Sequence, residues 1–368
     1  MQPAYEIAEV LRLLGDEIQE LKLSVWQQRT LRAIQLCRTQ ALGGHIDVCT
    51  DCGSLQISYN SCRNRHCPKC QGHKKQEWIV ARSHELLPVS YFHVVFTLPD
   101  LVNPMVLDQP KMMYDLLFNA AWNTLNTFGK NKGVKMGMIA ILHTWGQNLS
   151  LHPHLHCIVP GGGIGDNGQF KRIRTDGKFL FSVKAMSKVF RAKYVALLRK
   201  EKLCAQSTID LMFQKPWVVY AKRPFGNVQS VIEYLGRYTH KIAISNHRIK
   251  KVDSQSVTFT YKDYRQNGVT KEMTLSLREF TRRFTQHILP KRFVRIRHYG
   301  FLSSTWKRGK LKALQQKMGV VENSKTQQSK LHCCPHCKTG KLMTVMAFDS
   351  RGPPLEYLSV LPPRCLSI

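Results

Sequence analysis

The stretch Leu151-His152-Pro153-His154-Leu155-His156-Cys157-Ile158-Val159-Pro160 reads as a strand whose two imidazoles, His154 and His156, flank one apolar residue. Side chains at i and i+2 of a strand share a face, so both imidazoles converge on one point while Leu155 and Cys157 face the other side. That pattern suits a divalent cation, although a His-x-His pair alone is a weak signal. Two imidazoles leave such an ion short of ligands. Gln147, seven residues earlier at the end of the preceding strand, is the expected third donor, with His143 and His152 as the alternatives. An amide oxygen beside two imidazoles would suit Mg2+ or Mn2+, with water and phosphate oxygens completing the shell.

Outward from this strand the pattern alternates between strands and helices. Strand-like patterning at Tyr91 to Pro99 precedes an amphipathic helix near Lys111 to Phe128, and a second strand runs from Met138 to Thr144. A Gly-rich turn at Gly161 to Gly165 leads to a basic helix, Val183 to Lys202, and a strand, Trp217 to Ala221. A further helix from Asn227 to His240 and a hairpin with Val257, Phe259 and Tyr261 on one face come next, followed by a helix from Arg278 to His287. Upstream, residues 6 to 40 carry apolar positions at helical spacing, broken near Gly15. Beyond Trp306 the chain turns basic and Gln-rich, which reads as a linker.

The balance of 55 Lys+Arg against 24 Asp+Glu gives a net charge of +31. Self-repulsion of that size calls for a polyanion, and nucleic acid is the expected partner ahead of a membrane surface. No run approaches the roughly 18 apolar residues of a membrane span, and the N-terminus lacks the order of a signal peptide, so a cytoplasmic protein, nucleoid-associated when bound to DNA, is expected. The 12 cysteines cluster, five between Cys49 and Cys70 and three between Cys333 and Cys337. C-x-x-C pairs without a secretion signal point to metal rather than disulfides. Cys49, Cys52, Cys67 and Cys70 are the expected shell of one structural Zn2+, with Cys62, His45, His66 and His73 as alternates. Arg63, Arg65 and Lys69 interleave with these ligands as candidate phosphate contacts. Cys333-Cys334-Pro335-His336-Cys337 resembles a single knuckle without a partner pair, so an exposed tail with free thiols is expected ahead of a second zinc site.

In Tyr234-Leu235-Gly236-Arg237-Tyr238-Thr239-His240-Lys241 the two tyrosines lie four apart, stacked on one helical face. Such a pair on an amphipathic helix ordinarily packs in a core. Here Arg237, His240 and Lys241 make the face basic, suited to stabilising a tyrosinate or a phosphate. Together with Ser61-Cys62-Arg63-Asn64-Arg65-His66-Cys67-Pro68-Lys69-Cys70, the His-Leu-His strand and Phe293 to Leu302, this block resembles the two-tyrosine HUH transposases of the insertion-sequence-ninety-one family over nearly the whole chain.

The resemblance implies an α+β fold: an antiparallel-sheet HUH nuclease with a ferredoxin- or RRM-like palm, and a small N-terminal helical and zinc-knuckle domain. It implies rolling-circle transposition through single-stranded DNA, His154 and His156 as metal ligands, and Tyr234 and Tyr238 as nucleophiles. The expected partners are single-stranded DNA at element ends and target DNA. Expected boundaries are 1–85 for the helical and zinc-binding DNA-binding domain, 86–250 for the catalytic domain, 251–310 for a hairpin and helix extension, and 311–368 for a basic linker and Cys-containing tail. Two other readings stay open at this level. One is a replication initiator or relaxase using the same chemistry; the other is a non-enzymatic zinc-dependent nucleic-acid-binding regulator.

Overall fold

The computed structural model describes residues 3–71, 79, 85–173, 180–222, 225, 230–231, 236, 241–319 and 333–358. In chain order the strands are β1 (Gly44–Cys49), β2 (Leu55–Tyr59), β3 (Tyr91–Thr97), β4 (Gly137–Trp145), β5 (Leu151–Pro160), β6 (Gly162–Ile164) and β7 (Phe170–Arg172). They continue with β8 (Val219–Lys222), β9 (Ile249–Val252), β10 (Ser256–Asp263), β11 (Val269–Ser276), β12 (Ile296–Gly300) and β13 (Leu342–Phe348). The fold is α+β, as expected, and every strand pair described is antiparallel.

The chain divides into two compact units, neither of them continuous. One comprises Met1–Lys74, Ile244–Arg282 and Asn323–Ile368; the other comprises Lys75–Ala243 and Arg283–Glu322. The expected boundaries differ from this, because segments far apart in sequence fold together. The stretch 251–310 is shared between the units, and residues past Trp306 are not a simple linker. Helix Lys310–Lys317 buries Leu311 and Leu314, and β13 is a sheet strand.

The first unit opens with helices Ile7–Leu14 and Val25–Gln35. The apolar stripe Ile7, Val10, Leu11 and Leu14 is buried at the spacing of one helical face. Asn246 Oδ1 accepts from the Ile7 backbone N–H at 3.2 Å, so a residue more than two hundred positions away satisfies an end of the first helix. Ser24 and Gln27 form a capping box at the start of the second. Two small sheets complete the unit, β13-β1-β2 and β11-β10-β9. The expected hairpin is β10 with β11. Val257 and Phe259 on β10 are buried, and Phe259 meets Phe280 edge-on at 5.9 Å.

The second unit is built on a five-stranded sheet in the order β12-β4-β5-β3-β8. Alternation along its strands divides the side chains between two cores. Phe92, Val94 and Phe96 of β3, Met138, Ala140 and Leu142 of β4, and Leu155, Cys157 and Val159 of β5 pack with helices Pro110–Lys130 and Val183–Lys200. Tyr91, Ile139, Ile141 and Ile158 have the opposite parity and pack with Leu86, Leu87, Val231, Phe301, Leu311 and Leu314. Gly300 ends β12 at φ +59°, where a Cβ would stand 1.8 Å from the Met136 carbonyl oxygen, so this turn accepts only glycine.

Candidate metal centres

His154 and His156 share the parity of Ile158 on β5, as the alternation requires, and Leu155 and Cys157 are fully buried on the other side. Antiparallel pairing then sets His143 of β4 directly opposite His154. Ligand atoms of His143, His154 and His156 all lie within 4.8 Å of one another. Among histidine, cysteine and carboxylate side chains it is therefore His143 that completes the trio. Gln147, the expected third donor, is half-buried in the turn between β4 and β5. His152 lies on the same strand face, its ring 5.3 Å from that of His154, but outside the trio.

The surroundings fix how the imidazoles present their nitrogens. His154 Nδ1 lies 2.6 Å from the His152 carbonyl oxygen, so it carries the proton and donates, leaving Nε2 with a free lone pair. His156 Nδ1 lies 2.9 Å from Nε2 of His93, a buried residue of β3; when Nδ1 is the donor of this pair, His156 Nε2 keeps the lone pair that an ion takes. His143 stacks on Trp145 at 4.6 Å between ring centroids. Burial lowers the pKa of His154 and of His93 to about 4, and that of His156 well below the ordinary imidazole value. For His156 the neighbouring His143, His154 and His93 add to the effect, and the Lys241 cation opposes protonation of both His154 and His156. At neutral pH these rings are neutral, the state a metal ligand needs. Three imidazoles whose ligand atoms lie this close together fit a divalent ion.

The cysteines correct the expected zinc shell. Cys49, Cys52, Cys67 and Cys70 do not share one site. Cys67 and Cys70 join Cys37 and Cys62, whereas Cys49 and Cys52 face Cys334 and Cys337. The Cys37 and Cys62 sulfurs stand 3.5 Å and 3.6 Å from that of Cys70. Sulfurs held about 2.3 Å from a tetrahedral zinc are about 3.8 Å apart, so this quartet fits structural zinc. The Cys70 thiol is pushed down in pKa by the thiols of Cys37, Cys62 and Cys67 directed at it, which favours the thiolate that zinc takes. His45 and His66 belong to neither quartet, and His73 lies outside the described residues.

Cys37 carries no C-x-x-C signature and comes into reach only because its helix ends beside the knuckle, so spacing alone could not find it. Cys334 and Cys337 do form a C-x-x-C pair, but their partners lie 282 and 288 positions away. His93 leaves no local signal.

The candidate phosphate contacts divide. Arg63 is exposed at φ +52° in the knuckle, and Arg65 is half-buried, with its guanidinium pKa lowered by desolvation. Lys69 is committed within the unit, pairing with Glu6 at 2.6 Å and reaching the Cys37 carbonyl at 3.5 Å. Lys241 is exposed. Tyr234, Arg237 and Tyr238 lie outside the described residues, while Val231, three positions before Tyr234, packs on the histidine-bearing face of the sheet. Among the described residues no helix is long and apolar enough to cross a membrane.

Residues 137–310 match the family described as "Putative transposase", and residues 10–98 match the "Transposase zinc-binding domain". The chain is 39% identical to "Putative transposase y4qJ" of Sinorhizobium fredii over 95% of its own length and 97% of that protein's. It is 29% identical to "Transposase for insertion sequence element IS801" of Pseudomonas savastanoi pv. phaseolicola over 75% of its own length and 70% of the relative's. No solved structure matches the chain. A basic chain carrying these metal-ligand clusters and these relatives is, by class, a DNA-acting transposase with an N-terminal zinc-binding domain. Within that class the chain belongs to the IS91-type transposase family.

Proposed function

We propose that this transposase nicks and rejoins single-stranded DNA at the ends of its element and in the target, through a covalent 5′-phosphotyrosine link, during rolling-circle transposition. The observation that carries the reading is the convergence of His143, His154 and His156 on the central strands of an antiparallel sheet, oriented by the His152 carbonyl and by His93. A divalent ion held there would polarise a scissile phosphate and neutralise developing charge. With His143 as a further imidazole in reach of His154 and His156, the donor set favours Mn2+ over Mg2+, because imidazole suits transition metals and Mg2+ prefers oxygen.

Tyr234 and Tyr238 are the proposed nucleophiles. A phenol with an ordinary pKa of about 10 is mostly protonated at neutral pH, so nearby positive charge, Lys241 included, is needed to favour the phenolate. The tyrosine oxygen bonds to phosphorus as the bond from phosphorus to the 3′ oxygen breaks, leaving a free 3′-OH and a phosphodiester whose energy is conserved for rejoining. Arg63, Arg65, Arg237 and Lys241 are proposed to contact the DNA backbone, whereas Lys69 is occupied within the fold.

The test is trapping of a protein–DNA adduct on labelled single-stranded DNA with Mn2+ or Mg2+, and mapping of the modified residue. Tyr234→Phe with Tyr238→Phe should abolish the adduct, and His154→Ala should do the same while zinc in the quartet of Cys37, Cys62, Cys67 and Cys70 is retained. An adduct formed by the double Phe variant would place the nucleophile elsewhere.

A further inference from the structure

Cys49, Cys52, Cys334 and Cys337 lie apart from the zinc-binding quartet of Cys37, Cys62, Cys67 and Cys70, and two of the four lie beyond the 10–98 segment that matches the zinc-binding family. The two pairs are built alike. In one, the Asp51 N–H points to Cys49 Sγ at 3.4 Å and the Gly53 N–H donates to the Cys49 carbonyl at 3.1 Å. In the other, the His336 N–H points to Cys334 Sγ at 3.4 Å and the Lys338 N–H donates to the Cys334 carbonyl at 2.9 Å. Gly53 and Lys338, each following the second cysteine of its pair, both have positive φ, +66° and +64°. Backbone N–H groups directed at sulfur satisfy and orient a thiolate that ligates a metal.

The sulfurs across the two pairs stand 3.6 Å apart for Cys49 and Cys337, and 3.8 Å for Cys52 and Cys334. Those are the edges of a zinc–sulfur tetrahedron, and far longer than a disulfide bond of about 2.05 Å. The site is also closely fitted. A Cβ on Gly340 would stand 2.4 Å from Cys49 Sγ, so a side chain there would collide with the ligand.

The segment that carries the second pair runs directly into β13, which pairs with β1 from Leu342 against Cys49 to Phe348 against Gly44. Thr50 N–H donates to the Lys341 carbonyl at 3.0 Å, and the Lys341 N–H returns to Thr50 Oγ1 at 3.1 Å. Buried Asp47 on β1 accepts from Thr344 Oγ1 at 2.7 Å. The sheet β13-β1-β2 has little apolar core of its own: Ile46 is buried on β1, β2 is half-buried throughout, and Met343 and Val345 on β13 are exposed. A three-stranded sheet so poor in buried apolar area needs another source of stability, and a metal supplies it.

We infer that Cys49, Cys52, Cys334 and Cys337 form a second, independent zinc site whose ion clasps the C-terminal strand to the N-terminal sheet. The zinc-binding unit is then complete only in a chain made through β13, and the C-terminal segment is part of that unit rather than a free tail.

The test counts ions and reads the sheet, with no readout that depends on DNA cleavage. In the full-length chain with His154→Ala and His156→Ala, which removes the imidazole trio, native mass spectrometry should find two zinc ions. Adding Cys334→Ser and Cys337→Ser should leave one, and hydrogen exchange should quicken at residues 44–49 and 342–348 while β4 and β5 keep their protection. A separate Cys337→His chain should keep two ions and the slow exchange, because imidazole is an equally good zinc ligand. One zinc in the parent chain would overturn the inference whatever the solubility of the serine variant. Two ions in the serine variant, or unchanged exchange at β1, would overturn it as well.

Discussion

Replacing His93 by Phe isolates the part of the imidazole site that leaves no mark in sequence. The ring and its packing on β3 are retained, and what is lost is the nitrogen 2.9 Å from His156 Nδ1. Without an ion, His156 can move its proton to Nε2 and leave Nδ1 bare, so the metal-free protein loses little. An ion on Nε2 forces the proton back to Nδ1, where in the variant it meets only the Phe ring. A buried donor left unsatisfied costs about 1–3 kcal/mol. That cost falls on the metal-bound state, which corresponds to roughly a tenfold to hundredfold loss of metal affinity, the usual consequence of removing a partner that orients a ligand. The assay is Mn2+ titration of the full-length protein, followed by electron paramagnetic resonance of free Mn2+ and, separately, by the Mn2+ dependence of nicking. His93→Gln, whose amide oxygen can accept from Nδ1–H, should recover much of the affinity. A His93→Phe protein that binds Mn2+ within twofold of the parent would refute both the assigned tautomer and the role of His93 in positioning His156.

Three further outcomes follow from other parts of the molecule. His287 is buried, with Nδ1 3.2 Å from Thr144 Oγ1 and Nε2 3.1 Å from the Leu149 carbonyl, and desolvation depresses its pKa from 6.5 to about 4. Because the folded value lies below the unfolded one, its contribution is present above pH 6.5 and is lost as pH falls toward 4. The loss amounts to about 3 kcal/mol, and His287→Gln should flatten that part of a denaturation profile measured against pH. Gly300→Ala forces a Cβ against the Met136 carbonyl at positive φ and should destabilise the second unit by at least about 2 kcal/mol, lowering the calorimetric midpoint by roughly 4–8 °C; an unchanged midpoint would contradict the turn geometry. With a net charge of +31, affinity for single-stranded DNA should fall linearly and steeply in a plot of log affinity against log salt, and Arg63→Ala should reduce the slope by about one phosphate contact. A flat plot would remove phosphate neutralisation as the source of binding.

Local periodicity and composition were enough to establish the kinds of element and the chemistry they carry. Alternation along Leu151–Pro160 put His154 and His156 on one face and Leu155 and Cys157 in the core, and the helical stripes and the hairpin at Val257 and Phe259 followed the same logic of burial. Clustered C-x-x-C pairs were enough to indicate zinc, and the charge to indicate nucleic acid. What sequence spacing could not decide was which distant groups meet. The fourth thiol at Cys37, the pairing of Cys49 and Cys52 with Cys334 and Cys337, and the approach of His93 to His156 all depend on chain closure over tens to hundreds of residues. His143 joins His154 and His156 because the β4–β5 register, shifted between His143 and Trp145, sets it opposite His154, which the spacing along the chain did not single out. A ligand shell is a set of distances in space. Neighbours along the chain limit those distances only within a turn or a strand, and beyond that the sheet register and the packing inside each discontinuous unit decide them.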